Sequence, residues 1–411
     1  MRSAAPAQAS PLSWYSRYLP TLLLWGLTLF LAVTNVVWIV ADRHPAAGDP
    51  TLYLGLSHQV YRAVAAGQLP ALADYFFHGL GGARAPLISF LPLPLYLAFG
   101  SSEDVALGVN LLLLALFCPL LYRLMRRLQC SSTAALLAVL TTATMPLIYG
   151  LSRQFYVEYA LMVVVTAWMY CLVQSRLLTR TFPTLALGVL SGVGLLLKVF
   201  FPVFVVLPFA MVLRERWRQD RRHLTTTVGA VIGLALLIAG PWYAVNFLSA
   251  SGYAYELGFG SPGQPYDVHR ILSPRNLAAF WLAVANLDTS IWYALVFVVL
   301  ISSYLWQRSR RPLRGQRFAY RLLLSWVLLP LIVFSIDLSK DVRYLAPILP
   351  AFGGLLGAMT VDFCRRGTIL AVPLITAVPL YAYLHTSFGT LPPSQLAFGR
   401  QHPHLGEQLD P

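Results

Sequence analysis

Residues 49–70 read DPTLYLGLSHQVYRAVAAGQLP, and residues 76–100 read FFHGLGGARAPLISFLPLPLYLAFG. The acidic residue at the head of this stretch follows a long apolar run, Leu19 to Ala41, and a turn-rich segment leads to re-entry into apolar sequence at Arg84-Ala85-Pro86-Leu87. The first run exceeds the roughly 20 residues that cross a bilayer and lacks a small-residue cleavage site, so it reads as a retained anchor. A carboxylate at the membrane surface costs little while it is hydrated. It becomes useful when the membrane delivers a substrate to it. The stretch therefore reads as the first outer loop of a polytopic membrane protein, with a chemistry suited to lipid-linked molecules.

The rest of the chain agrees. Its 411 residues are 57% hydrophobic and 11% charged, with a mean hydropathy of +0.65, a balance foreign to soluble domains of this size. The apolar runs are continuous rather than alternating, which excludes a barrel and leaves an all-α polytopic bundle. Eleven spans are expected, at 19–41, 103–122, 132–150, 155–175, 184–198, 200–213, 225–247, 289–306, 321–338, 344–361 and 368–388.

Basic clusters at Arg2/Arg17, Arg123/Arg126/Arg127, Arg176/Arg180, Arg214–Arg222, Arg308–Arg321 and Arg365/Arg366 hold 20 of the 30 Lys and Arg, and only Glu215, Asp220 and Asp362 share that side. Positive charge marks the cytoplasmic side, so the N-terminus is expected inside and the C-terminus outside. The net charge of +14 is then a topology signal rather than a nucleic-acid footprint. Strict alternation requires 86–100, broken by Pro86, Pro92 and Pro94, to lie along the membrane. It also requires 184–213 to form two short crossings bent near Phe200–Pro202.

One transmembrane domain, 1–388, is expected, with outer loops at 42–102 and 249–288. The tail 389–411 has too few apolar residues for a core and is expected to be loosely ordered. Cys118, Cys130, Cys171 and Cys364 show no zinc or disulfide spacing, and His402 and His404 lack a third ligand nearby. No cofactor is expected; a divalent metal stays open.

Ionisable residues near span ends carry the chemical signal, because burying them is costly. Asp49, Arg84, Arg153, Glu158, Lys198, Asp337, Lys340, Asp341 and Arg343 all fall near the outer ends of different spans. A cluster of both signs suits a phosphate, held by Arg and Lys, beside a group that loses a proton to a carboxylate. The competing reading makes them interfacial anchors and ion pairs between helix ends. Asp49 has the strongest case for catalysis; between Gly48 and Pro50 it also suits an N-cap for a helix starting near Thr51. Leu52, Leu56, Val60 and Val64 recur every four residues, which predicts an amphipathic helix lying on the membrane face.

These elements resemble the GT-C class of polytopic glycosyltransferases, especially its protein-mannosyltransferase and aminoarabinose-transferase branch. Asp49-Pro50-Thr51-Leu52-Tyr53 resembles the acid and Tyr that open the family's first outer loop, and Arg84-Ala85-Pro86-Leu87 its Lys-Pro-Pro-Leu element. Phe99-Gly100, Ser152-Arg153 with Glu158, Gly192 to Lys198, Pro241-Trp242 and Arg343-Tyr344-Leu345-Ala346-Pro347-Ile348-Leu349-Pro350 follow in the family's order. The second acid of the family's first-loop pair is replaced by Pro50, and an acid that often precedes the second element by Ala83. The large C-terminal outer domain of some members has no counterpart, which makes a protein acceptor less expected.

The resemblance implies a GT-C-type bundle in a bacterial inner membrane. Its implied reaction moves a sugar from a polyprenyl-phosphate donor to a lipid or glycan acceptor at the outer face. Asp49, the catalytic residue, is then the general base or the group that positions the acceptor. Arg84, Arg153, Glu158, Lys198, Lys340, Asp341, Arg343, Tyr344 and Tyr53 form the substrate- and phosphate-binding set. The alternative is a flippase for a polyprenyl-linked glycan, which favours charges midway through spans and an inverted repeat; the charges here gather toward one face, and no repeat is visible.

Overall fold

A computed structural model describes residues 11–42, 46–219, 221, 224–260, 273–289, 291–308, 317–364 and 371–388. The expected loose tail 389–411, with His402 and His404, lies outside them. The chain runs through α1 (Pro11–Ala41), α2 (Asp49–Ala65), α3 (Leu69–His78), α4 (Leu87–Phe90), α5 (Leu93–Phe99) and α6 (Glu103–Arg127). It continues through α7 (Ser132–Ala143), α8 (Pro146–Ser152), α9 (Val157–Gln174), α10 (Thr181–Leu197), α11 (Phe201–Gln219) and α12 (Leu224–Phe259). The last helices are α13 (Pro274–Ala283), α14 (Ile291–Arg308), α15 (Arg317–Ile336), α16 (Leu349–Cys364) and α17 (Ala371–Phe388). A π turn, Val284–Asp288, follows α13, and a 3₁₀ segment, Val342–Ile348, leads into α16. Among the described residues there is no strand.

Among the described residues, six segments are long and apolar enough to cross a membrane: Tyr18–Ala41, Glu103–Arg127, Val157–Gln174, Leu224–Phe259, Arg317–Ile336 and Val342–Cys364. The bent pair α7 and α8 makes a seventh. The other four expected spans are helical too, as α10, α11, α14 and α17, but shorter or less apolar. The architecture is the expected all-α bundle.

Local sequence explains the elements. Ser102 caps α6, its hydroxyl accepting from the Val105 N–H at 3.2 Å; Glu103 and Asp104 open the helix and Arg126 and Arg127 close it, each charge opposing the helix dipole at its end. In α1 the buried residues Leu24, Thr28, Leu31, Asn35 and Trp38 alternate at spacings of three and four, while Leu22, Leu29, Val33 and Val40 face outward. That is one narrow seam against the bundle and a lipid-facing remainder. α16 sits at the centre, with every residue from Leu349 to Thr360 buried.

Three features differ from expectation. The span placed at 132–150 bends by 69° between α7 and α8, because Pro146 forces Met145 into an extended conformation (φ −67°, ψ 134°). The span placed at 225–247 continues as helix to Phe259. At 1.5 Å per residue α12 is about 54 Å long, well beyond a bilayer's hydrocarbon core of about 30 Å. The expected 249–288 loop thus begins as a helical extension. In α2 the buried face is Tyr53, Leu56, Val60 and Ala63, with Leu52 exposed, so the stripe is rotated from the one read at four-residue intervals.

The Gly-rich α10 lies directly on α12. A Cβ at Gly188 would stand 2.7 Å from the Val231 carbonyl oxygen, and one at Gly192 would stand 2.6 Å from Ile238 Cβ. Small residues one turn apart let the two backbones approach. The approach matters because α10 ends at Lys198 and α12 carries Trp242, Tyr243 and Tyr253.

Candidate active site

Helix ends converge on one cleft. It has about 530 Å³ of empty volume, open mouth included. Asp49, Tyr53, Arg84, Glu158, Lys198, Tyr253 and Tyr344 supply its polar groups, and Val157, Leu197, Phe200, Trp242, Ala250 and Leu257 its apolar wall.

Asp49 is the first residue of α2. Gly48 takes the cap position with φ 67°, and no side chain caps the helix. Asp49 therefore does not serve as the N-cap its sequence context suggested. Its carboxylate instead bridges two arginines: Oδ1 lies 3.0 Å from Arg84 Nη1, and Oδ2 accepts from Arg343 Nη2 at 3.4 Å. Pro50 sits in the first turn of α2, and the Asp49 carboxylate before it lines the cleft.

Arg84 comes from the turn after α3. Its Nε and Nη2 both donate to the Tyr253 hydroxyl, at 3.0 and 2.6 Å. Burial works against the Arg84 charge, but the Asp49 carboxylate and the hydrogen bonds to Tyr253 outweigh it, and the guanidinium holds its proton more tightly than usual. Tyr53 is buried beside it; burial, then the Asp49 charge, pushes its phenol above the ordinary range, so the ring stays neutral.

Glu158 and Lys198 line the same cleft. Glu158 opens α9, where the helix dipole favours an anion, and Lys198 closes α10, where it favours a cation. Lys198 Nζ donates to Glu158 Oε1 at 2.6 Å and lies 4.1 Å from the centre of the Tyr344 ring. Glu158 is buried, and its Oε2 has no hydrogen-bond partner among the described residues.

Arg343 reaches Asp49 from behind the cleft wall. Its Nε donates to Asp341 Oδ1 and Oδ2 at 2.9 and 2.8 Å, and its Nη2 pairs closely with the same carboxylate. Asp341 also accepts from the Arg343 backbone N–H at 3.0 Å, and the guanidinium lies 4.2 Å from the centre of the Tyr156 ring. Asp341 thus orients Arg343 rather than lining the cleft. Among the described residues, no three His, Cys, Asp or Glu side chains gather as metal ligands.

Two predicted residues stand elsewhere. Arg153 is buried inside the bundle, donating from Nε to Asn35 Oδ1 at 3.0 Å and packed 5.1–5.3 Å from the ring centres of Trp38, Tyr149 and Tyr383. Lys340 donates from Nζ to the Phe334 and Ser335 carbonyls at 3.0 Å, closing the C-terminus of α15. Burial, opposed by Asp337, lowers its pKa to about 8. Neither lines the cleft.

Sequence reasoning passed over Tyr253, Tyr156 and Asp288. Asp288 is fully buried in the π turn with both oxygens lacking a partner among the described residues; burial, then Asp341, pushes its carboxyl well above the usual range. The signal for Tyr253 was present as two tyrosines, Tyr253 and Tyr255, past the end of an apolar run.

This frame has solved counterparts. ArnT from Cupriavidus metallidurans bound to undecaprenyl phosphate superposes with a TM-score of 0.62 over 90% of this chain and 67% of that one, at 18% identity. The Archaeoglobus fulgidus oligosaccharyltransferase gives 0.52 over 94% of this chain and 56% of that one, at 14% identity. The chain has a GT-C fold. Within this GT-C domain, residues 83–243 match the family described as dolichyl-phosphate-mannose-protein mannosyltransferase. That segment contains Arg84, Glu158 and Lys198. A relative from Aeromonas hydrophila, an undecaprenyl phosphate-alpha-4-amino-4-deoxy-L-arabinose arabinosyl transferase, is 25% identical over 324 residues, covering 75% of this chain and 53% of its own length. The GT-C chain spans about half the length of the curated relatives it matches.

Proposed function

We propose that this chain transfers a sugar from a polyprenyl-phosphate donor to an acceptor at the outer face of a bacterial inner membrane. The observation that carries the reading is the cleft itself. A carboxylate held between two guanidinium groups shares one cleft with a Lys–Glu pair and an apolar lining. Arg84 and Lys198 are placed for the phosphate, and Phe200, Trp242 and Leu257 for the first isoprene units.

In this reading an acceptor hydroxyl attacks the anomeric carbon. The bond from that carbon to the phosphate oxygen breaks, and the electron pair leaves with the polyprenyl phosphate. Asp49 takes the proton of the acceptor hydroxyl. Arg84 and Lys198 stabilise the negative charge that grows on the leaving group, while Arg343, fixed by Asp341, keeps Asp49 oriented. The arabinosyl transferase relatives support a polyprenyl-phosphate donor; nothing in the cleft selects a pentose over a hexose.

The test is turnover by purified protein in lipid nanodiscs, fed a polyprenyl-phosphate sugar and lipid acceptors extracted from bacterial membranes. Release of polyprenyl phosphate matched by acceptor glycosylation supports the proposal. Movement of the intact donor across proteoliposomes without bond cleavage would return it to the flippase reading.

A further inference from the structure

The hydrogen bonds around Arg84 give Tyr253 a role that the sequence did not suggest. A phenolic oxygen has lone pairs to accept with and one proton to donate. Both Arg84 Nε and Arg84 Nη2 donate into the Tyr253 oxygen, at 3.0 and 2.6 Å. With its accepting side filled by a guanidinium, the hydroxyl can only act as a donor toward anything else. Among the described residues, no acceptor takes that proton.

The neighbouring Arg84 Nη1 is buried against Asp49, 3.0 Å from Oδ1. The Tyr253 O–H therefore lines the cleft with its donating capacity open. A phenol polarised by an adjoining cation is a strong donor, and its best match is a charged oxygen. α12 supplies the placement: it continues well past Trp242 to Phe259, and Tyr253, eleven residues beyond Trp242 on the same helix, meets the Arg84 turn.

Resting on the donor class proposed above, we infer that the Tyr253 hydroxyl donates a hydrogen bond directly to a phosphate oxygen of the polyprenyl-phosphate donor, with Arg84 orienting it. Tyr253 is thus a phosphate-binding residue, and Arg84 acts twice, once through its charge and once through the phenol.

The test uses a polyprenyl phosphate without sugar, with the uncharged polyprenol of the same length as control, titrated into full-length protein in nanodiscs. Tyr253→Phe should weaken polyprenyl phosphate binding about tenfold, the scale of one hydrogen bond to a charged group, leaving polyprenol binding unchanged. A second variant separates donation from mere bracing of Arg84. Replacing Tyr253 with 3,5-difluorotyrosine, assayed at a pH where the phenol stays protonated, makes the hydroxyl a better donor and a poorer acceptor. Tighter phosphate binding supports donation, whereas weaker binding means that Tyr253 only braces Arg84 and overturns the inference. Equal phosphate affinity in the wild type and Tyr253→Phe overturns it too, as does an effect confined to the sugar-bearing donor. If the wild type binds polyprenol as well as the phosphate, the donor class itself fails instead.

Discussion

Replacing Lys198 with Met keeps the length of the side chain and its contact with Tyr344 but removes the charge that neutralises Glu158. Glu158 is 4% exposed at the side chain, and Lys198 Nζ is 2.6 Å away with 17% of its side chain accessible. Removing one partner of a buried pair costs about 3–5 kcal/mol, because the survivor is a buried charge without compensation. Water reaches the Lys198 side, which places the expected cost near the lower end, about 3 kcal/mol. The melting temperature in detergent should fall on the order of 5 °C or more. The double variant Glu158→Gln/Lys198→Met leaves no buried charge and should regain most of that loss. Binding of polyprenyl phosphate should stay weak in both, since the cleft has lost one of its two lining cations. A single variant that melts with the wild type would refute the buried-pair reasoning. A double variant that recovers binding together with stability would make the pair structural and remove Lys198 from the phosphate site.

Three further outcomes follow from the same geometry. Arg84→Ala should raise the donor KM at least tenfold, with Arg84→Lys recovering part of the loss because a point charge still attracts phosphate without the planar fork; steady-state kinetics read this. Gly192→Val should push α10 off α12 at Ile238, costing about 1–3 kcal/mol of overpacking, visible as a lower melting temperature and weaker donor binding. Asp337, just past the end of α15, has its pKa raised to about 6, chiefly by burial, against hydrogen bonds from Ser339 and Leu338 and the Lys340 charge. Its contribution is therefore fully present below about pH 4 and is lost as pH rises through 6, so Asp337→Asn should flatten that part of the melting-temperature profile.

The sequence made the helical class legible because lipid demands long continuous apolar runs, and six segments among the described residues meet that demand. It made Glu158, Lys198 and Arg343 legible because charge is expensive at span ends, and Asp49 and Arg84 because each punctuates the loop that joins the first two long apolar helices. Arg153 satisfied the same rule yet lies inside the bundle, since its aromatic surroundings come from α1, α8 and α17 and no local spacing reports such a cage. Lys340 likewise met the rule, but its partners are the carbonyls at the end of α15. Tyr253 escaped because hydropathy marks where a helix leaves lipid and not where the helix ends. The capping role read for Asp49 failed through the φ of Gly48, which let the helix begin one residue later than the glycine and freed the carboxylate for two arginines.

The most direct test of sugar transfer is single-turnover cleavage of a polyprenyl-phosphate sugar by the wild type and Asp49→Asn, each reconstituted with bacterial lipid acceptors and followed by mass spectrometry. The wild type should convert donor to polyprenyl phosphate with equal formation of glycosylated acceptor, while Asp49→Asn, folded and still able to bind the donor, should leave it uncleaved. Equal cleavage by both proteins, or an intact donor with the wild type, would contradict the account.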